Sequence, residues 1–365
     1  MFLYLSLLLI APISLVVFRN NEKKEKIALL VTCIAVFLLL ALRSKDSGCD
    51  LNAYAYIYER LKDVSFFEVV KGFVFFGKST LVDVEWGYTL FTWVFSRIGL
   101  GFQLLLVVQS AFCVFSIWHF IGEYSAKPSL SIVIIIAFGV IDYSYCILRQ
   151  AMAFSFILFA VECLSKKRYI GFVVLLMIAV LFHKSTALFI IVLPLSFVPI
   201  NWYTSMVWIA LSALILPLFP LLNRLFIERF MMKFGRSYLS QGFEFGELII
   251  VILAIALFIT FFYCKKKEDV TSFDKSVFWS FMICVPLEFT AMYMPIIGRL
   301  LTLCFMPFAS VAITNSFIDE RNEKDKLTCV LEILIYLAVF AYYAYCLYYD
   351  KRLLGIVPYR MFFME

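Results

Sequence analysis

Arg149 and His183 are the two side chains whose types and positions best suit chemistry on a charged substrate. They flank two apolar runs, 151–164 and 170–182, which are joined by the basic cluster 166–168. A helix from Arg149 to Ser165, which contains the first run, covers roughly 25 Å, close to one hydrocarbon thickness, and a helix over the second run returns the same distance. The sequence therefore predicts a helical hairpin with Arg149 and His183 at one end and the basic cluster at the other.

The chemistry expected at that end is recognition of phosphate. Positive charge tends to stay on the cytoplasmic side, so the basic cluster predicts that Arg149 and His183 face outward. The planar fork of arginine binds phosphate oxygens bidentately and stays protonated in a dry site. His183 could accept a proton, orient a hydroxyl group or bind phosphate as a cation, and the sequence leaves these roles open.

A second arginine, Arg299, has a similar setting. Both Arg149 and Arg299 are embedded in apolar sequence at the lip of a predicted span, CILRQAMAF and PIIGRLLTL. An ionisable group there is costly unless it has a partner or faces a cavity, which favours a functional role. For Arg97, Arg352 and Arg360, snorkelling to lipid headgroups is the favoured interpretation. His119 is predicted to be structural.

The composition is that of a polytopic membrane protein. Of the 365 residues, 64% are hydrophobic, 18% aromatic and only 16% charged, and the mean hydropathy is +0.94. Long apolar runs without alternation favour helices over a barrel. The prediction is an all-α single domain, 1–365, with about 12 transmembrane helices, a partial helix at 86–98 and two outer segments, 43–85 and 223–246.

Under this topology, lysine and arginine are distributed unequally. The inner side would hold 15 basic residues with three arginines, and the outer side 17 with ten arginines. The outer side thus favours guanidinium groups, which indicates a surface suited to a polyanion. These ten residues are Arg43, Arg60, Arg97, Arg149, Arg224, Arg229, Arg236, Arg299, Arg352 and Arg360.

Several classes of chemistry lack their sequence signals. The chain has no Walker loop, no G-x-G-x-x-G and no H-E-x-x-H, so nucleotide-driven or zinc-dependent catalysis is not expected. Only two histidines are present, which excludes a His-rich metal site. The ten cysteines form no C-x-x-C pair, and all but Cys49 lie in or beside apolar runs, so they are interpreted as small core residues without a disulfide framework. We expect no metal and no cofactor.

The first outer segment carries a possible sugar platform. Asp50, Tyr54 and Tyr58 are spaced i, i+4, i+8 and would share one helix face. A carboxylate beside tyrosine rings suits a sugar, whereas the alternative is an aromatic helix lying on the membrane. Glu85 and Tyr88 open the partial helix and could reach into the same cavity.

From the neighbouring span, Asp142 approaches Arg149 in sequence. It could bind substrate or simply neutralise the arginine.

In these features the chain resembles the EpsG/Wzy-type family of bacterial polysaccharide polymerases. The resemblance covers nearly the whole chain through a set of segments in a fixed order. They are ALRSKDSGCDLNAYAYIY, EWGYTLFTWVF, LRQAMAFSFILFA, KKRY, LFHKSTALFIIVLPL, GRLLTL and VPYRMFF. The chain departs from the expected Gly-Thr/Val-Asp type of turn at Ser47-Gly48-Cys49-Asp50.

The resemblance implies a GT-C-like integral membrane glycosyltransferase that uses no nucleotide sugar. It would move a growing glycan from undecaprenyl pyrophosphate onto a lipid-linked repeat unit, at the outer face of the bacterial inner membrane. Its expected partners are these lipid-linked glycans and membrane lipids, with a chain-length regulator and a flippase as further candidates, and no nucleic acid.

The site residues follow from the residues above and the resemblance together. Arg149, His183 and Arg299 are the predicted catalytic residues. The predicted substrate-binding residues are Arg43, Asp50, Tyr54, Glu85, Tyr88, Asp142, Gln150, Arg224, Arg229 and Arg236.

Two alternatives stay open at this point. An O-antigen-type ligase or another lipid-linked sugar transferase would use similar chemistry but transfer once to a different acceptor. A flippase or transporter for the lipid-linked glycan usually shows paired broken helices and charge at mid-membrane. The predicted clustering of cations at one outer edge favours an enzyme.

Overall fold

The computed structural model of the chain describes residues 4–9, 22–74, 77–222, 271–291, 296–316, 326–349 and 356–364. Among these residues the regular structure is helical, with two isolated antiparallel bridges, which confirms the all-α prediction. The chain divides into two compact units, 1–190 with 323–365 and 191–322.

The α-helices are named here in chain order, and residues 4–9 are helical as well. They are α1 (Glu22–Ala41), α2 (Leu51–Leu61), α3 (Phe66–Lys71), α4 (Trp86–Ile98), α5 (Gly101–Tyr124), α6 (Pro128–Ala137), α7 (Val140–Cys146), α8 (Leu148–Ser165), α9 (Tyr169–Phe182), α10 (Val192–Leu195), α11 (Trp202–Ala213), α12 (Ile215–Leu222), α13 (Ser272–Met282), α14 (Cys284–Ala291), α15 (Ile296–Ser316) and α16 (Lys326–Tyr349).

The predicted central hairpin is confirmed as α8 and α9, which pack against each other along their lengths. Its turn is a Schellman motif, in which Arg168 N donates to Cys163 O at 2.8 Å and Lys167 N to Leu164 O at 2.9 Å. Lys167 adopts the left-handed conformation that this motif requires, with φ 58°. The basic cluster therefore closes the hairpin at the end opposite Arg149.

Fewer helices than predicted are long and apolar enough to cross a membrane. Of the described helices, α5 and α8 meet that requirement, and α6 with α7 would form a third span bent by 55°. Gly139 makes the bend by adopting a φ of +77°. The apolar stretch 187–199, long enough in sequence to be counted among the predicted spans, contains most of a 3₁₀ helix, Lys184–Ile191, followed by the single turn α10. The apolar stretch 247–264, also counted among them, lies outside the described residues.

The predicted outer segment 43–85 is packed rather than loose. Its helices α2 and α3 lie against α4, which begins directly after the segment. The indoles of α4 fasten it, because Trp86 Nε1 donates to Val69 O at 2.9 Å and Trp93 Nε1 donates to Val64 O at 2.8 Å. These hydrogen bonds and contacts thus join the segment to α4.

Candidate functional site

Glu85 is the centre of a cluster of charged side chains in the first unit. Its side chain is 4% exposed, and its two oxygens have different partners. Arg149 Nη1 donates to Oε2, and Nδ1 of His183 lies 3.1 Å from Oε1. We call these three residues, Glu85, Arg149 and His183, the Glu85 cluster.

The cluster forms where the ends of three helices meet. Arg149 lies in the first turn of α8, after Ile147 has left helical geometry. Glu85 is the extended residue that precedes α4, and His183 is the extended residue that follows α9. The prediction that Arg149 and His183 lie on the same side is therefore confirmed, since both reach one carboxylate.

A glycine allows α4 to approach α9 closely. A Cβ atom on Gly87 would lie 2.8 Å from the backbone oxygen of Leu181, nearer than real Cβ contacts. Gly87 follows Glu85 by two residues, and Leu181 precedes His183 by two. The missing side chain thus brings the carboxylate and the imidazole within reach of each other.

Local hydrogen bonds hold the backbone at both positions. Thr89 donates to the Glu85 carbonyl from N at 3.0 Å and from Oγ1 at 3.1 Å. Thr186 donates to the His183 carbonyl from N at 3.1 Å and from Oγ1 at 2.7 Å. An antiparallel bridge to Lys78 fixes Glu85 from the other side.

Tyr54 completes the surroundings of Arg149. Arg149 Nε donates to the Tyr54 hydroxyl at 3.3 Å, and the guanidinium lies 5.9 Å from the centre of the Tyr54 ring. Tyr88 supports this ring edge-on, with the ring centres 5.3 Å apart. One N–H of Nε and one of Nη1 are thus engaged, so both N–H groups of Nη2 and the second one of Nη1 could meet a substrate oxygen.

The charge of Glu85 is strongly favoured in this setting. Burial by itself raises the pKa of the Glu85 carboxyl, but the contact from His183 and the charge of Arg149 outweigh burial and lower that pKa to about 2, from an ordinary 4.5. Glu85 is therefore an anion at neutral pH, which accepts a hydrogen bond from Arg149 and lies within ion-pair distance of His183.

His183 is oriented by this anion. Its Nδ1 atom is within ion-pair distance of Glu85, although no acceptor lies along the Nδ1–H direction well enough for a hydrogen bond. Apo enzymes often hold such contacts loosely and tighten them with substrate. A carboxylate next to Nδ1 favours the tautomer with its proton there and leaves Nε2 able to accept a proton.

The tyrosines of the predicted sugar platform lie inside the protein. Tyr54 and Tyr58 are 3% and 0% exposed, so in this structure neither ring presents a face to a sugar or to lipid, and sugar binding by the platform stays a prediction. The spacing correctly placed them on one helix face, but that face packs inward. Asp50 is half-buried at the N-cap position of α2, with no side-chain capping bond.

Arg43 is also buried, at 1% exposure, and does not line an outer surface. Its Nη1 donates to the Leu40 carbonyl and to Ser110 Oγ, the latter at 3.1 Å, and its guanidinium lies 5.2 Å from the Tyr145 ring centre. Protein groups already meet part of its donor capacity. The structure therefore supports a packing role in place of the predicted substrate contact.

Asp142 does not neutralise Arg149. Its Oδ1 accepts a hydrogen bond from Tyr343 of α16 at 3.0 Å, within the bend between α6 and α7. The neutralising partner of Arg149 is Glu85. Gln150, the residue after Arg149, is buried at 5% exposure, and its role in substrate binding stays a prediction.

The remaining predicted residues cannot be compared with the cluster. Residue 299 lies in α15, but its side chain is outside the described residues, so its pairing with Arg149 stays a prediction. Arg224, Arg229 and Arg236, in the predicted outer segment 223–246, lie outside the described residues as well.

Sequence reasoning named Glu85 but missed its central role, and it assigned no role to Gly87 or Thr186. The signal that could have found the first two is the segment EWGY, where an acidic residue in front of a helix is followed by a glycine. Within the described chain, no group of three or more His, Cys, Asp and Glu side chains could hold a metal ion.

Comparison with known proteins gave one match. The model of the EpsG family matches residues 2–361. Neither the curated proteins nor the solved structures gave a match.

Proposed function

The chain belongs to the EpsG family, and from this we propose that it is a polymerase that joins undecaprenyl-pyrophosphate-linked repeat units into a surface polysaccharide. Family membership supports a polysaccharide-polymerase type of role, and the apolar helices support an integral membrane protein. The observation that carries the proposal is the Glu85 cluster, where a guanidinium and an imidazole share one buried carboxylate at the open end of the hairpin.

In the proposed reaction, His183 acts on the acceptor sugar. Its Nε2 takes the proton of the attacking hydroxyl group, and Glu85 stabilises the imidazolium that forms. The oxygen of that hydroxyl forms the new glycosidic bond as the bond from the donor glycan to its lipid diphosphate breaks.

Arg149 acts on the leaving group. Tyr54 and Glu85 fix its guanidinium, so that Nη2 can donate to the departing diphosphate without reorganisation. One such preorganised donor is worth roughly 3 kcal/mol of transition-state stabilisation. Because Glu85 offsets the charge of Arg149, a second cation is expected at the diphosphate.

Purified protein supplied with lipid-linked repeat units tests the proposal. A ladder of lengthened lipid-linked products supports the polymerase, whereas a single transfer to a different acceptor would indicate a ligase. Protein that moves the lipid across vesicles without lengthening the glycan would contradict the proposal and indicate a transporter. Arg149→Lys is the matched inactive variant.

The proposed localisation is the cytoplasmic membrane of a bacterium, with the Glu85 cluster facing outside. The basic turn of the hairpin at 166–168 supports this orientation. Labelling in intact cells of a single cysteine, introduced at exposed Asp83 or exposed Lys167 in a chain whose native cysteines are replaced, tests it. Reaction at position 83 only is the expected result, and reaction at position 167 only would reverse the orientation.

A further inference from the structure

Two cysteines far apart in sequence meet near the Glu85 cluster. Cys49 is exposed in the turn before α2, and Cys146 is buried as the last residue of α7. The turn that carries Cys49 lies directly against the Cys146 thiol, and the two thiols interact electrostatically. Sequence analysis treated the ten cysteines as core residues and predicted no disulfide, because proximity of positions 49 and 146 has no local signal.

The backbone around Cys49 is shaped for this contact. Gly48 has a φ of +90°, and a Cβ atom there would lie 2.9 Å from Cys146 Sγ. The turn can therefore lie directly on the thiol only because its residue 48 lacks a side chain. One position earlier, Ser47 Oγ lies 2.5 Å from the Tyr145 hydroxyl. Two successive residues of α7 are thus paired with two residues of the turn.

We propose that Cys49 and Cys146 are a redox-active pair that forms a disulfide bond across the base of the Glu85 cluster. Neighbouring thiols need only small side-chain rotations to reach bonding geometry. The bond would connect the turn five residues before Tyr54 to the helix end three residues before Arg149. It would hold the tyrosine that orients the arginine in place.

The oxidant belongs to the class of small external disulfides. The exposed Cys49 thiolate attacks one sulfur of the oxidant and releases one small thiol, which leaves a mixed disulfide on Cys49. The Cys146 thiolate then attacks the Cys49 sulfur and releases the second small thiol. Two protein thiols and one small disulfide thus become one protein disulfide and two small thiols, which take up the two protons.

The exposure of the two thiols suits this order of attack. Cys49 is open to the oxidant, whereas Cys146, at 0% exposure, can be reached only by a sulfur that is already beside it. The inference rests on the proposed function in one respect, namely that the two cysteines lie on the outer side of the membrane. Outside the cytoplasm, conditions favour disulfides.

The test treats open membrane fragments that contain the full-length protein with oxidised glutathione, then alkylates and digests them. Open fragments admit the oxidant to both faces, and the readout is the bond itself, so the result depends on neither orientation nor polymer formation. We expect a linked peptide pair containing residues 49 and 146, loss of Cys49 alkylation, and recovery of alkylation with dithiothreitol.

Three variants complete the test. Cys146→Ser should abolish the linked peptide and leave glutathione on Cys49, and Cys49→Ser should abolish both. Cys163→Ser, which removes a half-buried thiol at the opposite end of the hairpin, should behave as the unmodified protein does. Absence of the 49–146 peptide, with Cys49 still fully alkylated after oxidation of the unmodified protein, would overturn the proposal.

Discussion

The two ends of helix α8 carry clusters built from the same residue types. At its start, Glu85 contacts Arg149 and His183. Near its end, Glu162 contacts Lys166 at 2.6 Å and His119 at 2.9 Å, and we call these three residues the Glu162 cluster. Each of the two histidines of the chain thus shares a glutamate with a cation, and yet the two clusters differ in most other respects.

The difference lies in burial and in the elements that are joined. The side chains of Glu85 and Arg149 are 4% and 22% exposed, whereas those of Glu162 and Lys166 are 14% and 49% exposed. Glu85 joins two other helix ends, whereas Glu162 joins one neighbouring helix, through His119, and pairs locally with Lys166. An exposed i, i+4 pair contributes little because water competes for both charges. The buried carboxylate strongly constrains three elements at once. Residue types alone therefore do not identify the functional cluster.

The largest expected effect is the loss of polymer in Arg149→Lys. Lysine keeps the charge but cannot contact Glu85, Tyr54 and a phosphate oxygen at once, so we expect at least a roughly hundredfold lower rate. The measurement is polymer length and amount at matched protein levels in the membrane.

Lys166→Arg in the Glu162 cluster is the matched control and should leave polymer unchanged. Polymer of normal length in Arg149→Lys would remove the arginine from the mechanism.

His183→Gln is expected to lower the turnover number by about a hundredfold with little change in KM, because glutamine can contact Glu85 but cannot accept a proton. Steady-state kinetics with lipid-linked repeat units measures both constants. His119→Gln should alter neither. A raised KM with an unchanged turnover number would instead mean that His183 binds substrate as a cation.

The sequence was sufficient to predict the hairpin and the shared side of Arg149 and His183. Both follow from helix length and the positions of charge, which are local properties. The bounds of α8 and α9 differ by only one residue from those predicted.

The partners of these residues were not predictable in the same way. Which carboxylate neutralises Arg149 depends on how helix ends approach in space, and Asp142 is nearer in sequence than Glu85. Similarly, i, i+4, i+8 spacing shows that Asp50, Tyr54 and Tyr58 share a face but not whether that face meets protein or solvent. In the structure, the face of α2 that carries the two tyrosines packs against α4 and is therefore buried.

Glu85 gives the first unit a dependence on pH. A carboxyl whose pKa falls from 4.5 to about 2 on folding stabilises the protein above pH 4.5, and this contribution is lost as the pH falls toward 2. Its size is roughly 3 kcal/mol, similar to the cost of breaking a buried ion pair. Thermal unfolding in detergent at a series of pH values measures it.

Glu85→Gln should be less stable at pH 7 by that amount and should lose this component of the pH dependence. Glu162→Gln should cost at most about 1 kcal/mol, because Lys166 is largely in solvent. Equal losses in the two variants would mean that burial does not separate the clusters.

The smallest expected effect concerns the two glycines, Gly87 and Gly122, at which neighbouring helices approach each other near the start and near the end of α8. An alanine at Gly87 would place its Cβ 2.8 Å from the Leu181 backbone oxygen, so α4 and α9 must separate and Glu85 must move from His183. Gly122, near the Glu162 cluster, would place a Cβ 3.6 Å from a Leu29 methyl group, an ordinary contact. We therefore expect Gly87→Ala to lose about tenfold in polymer formation at an unchanged protein level, since displacements of this size impair catalytic alignment. Gly122→Ala should form as much polymer as the unmodified protein. If both variants retain full activity, the close approach of α4 to α9 does not position the Glu85 cluster.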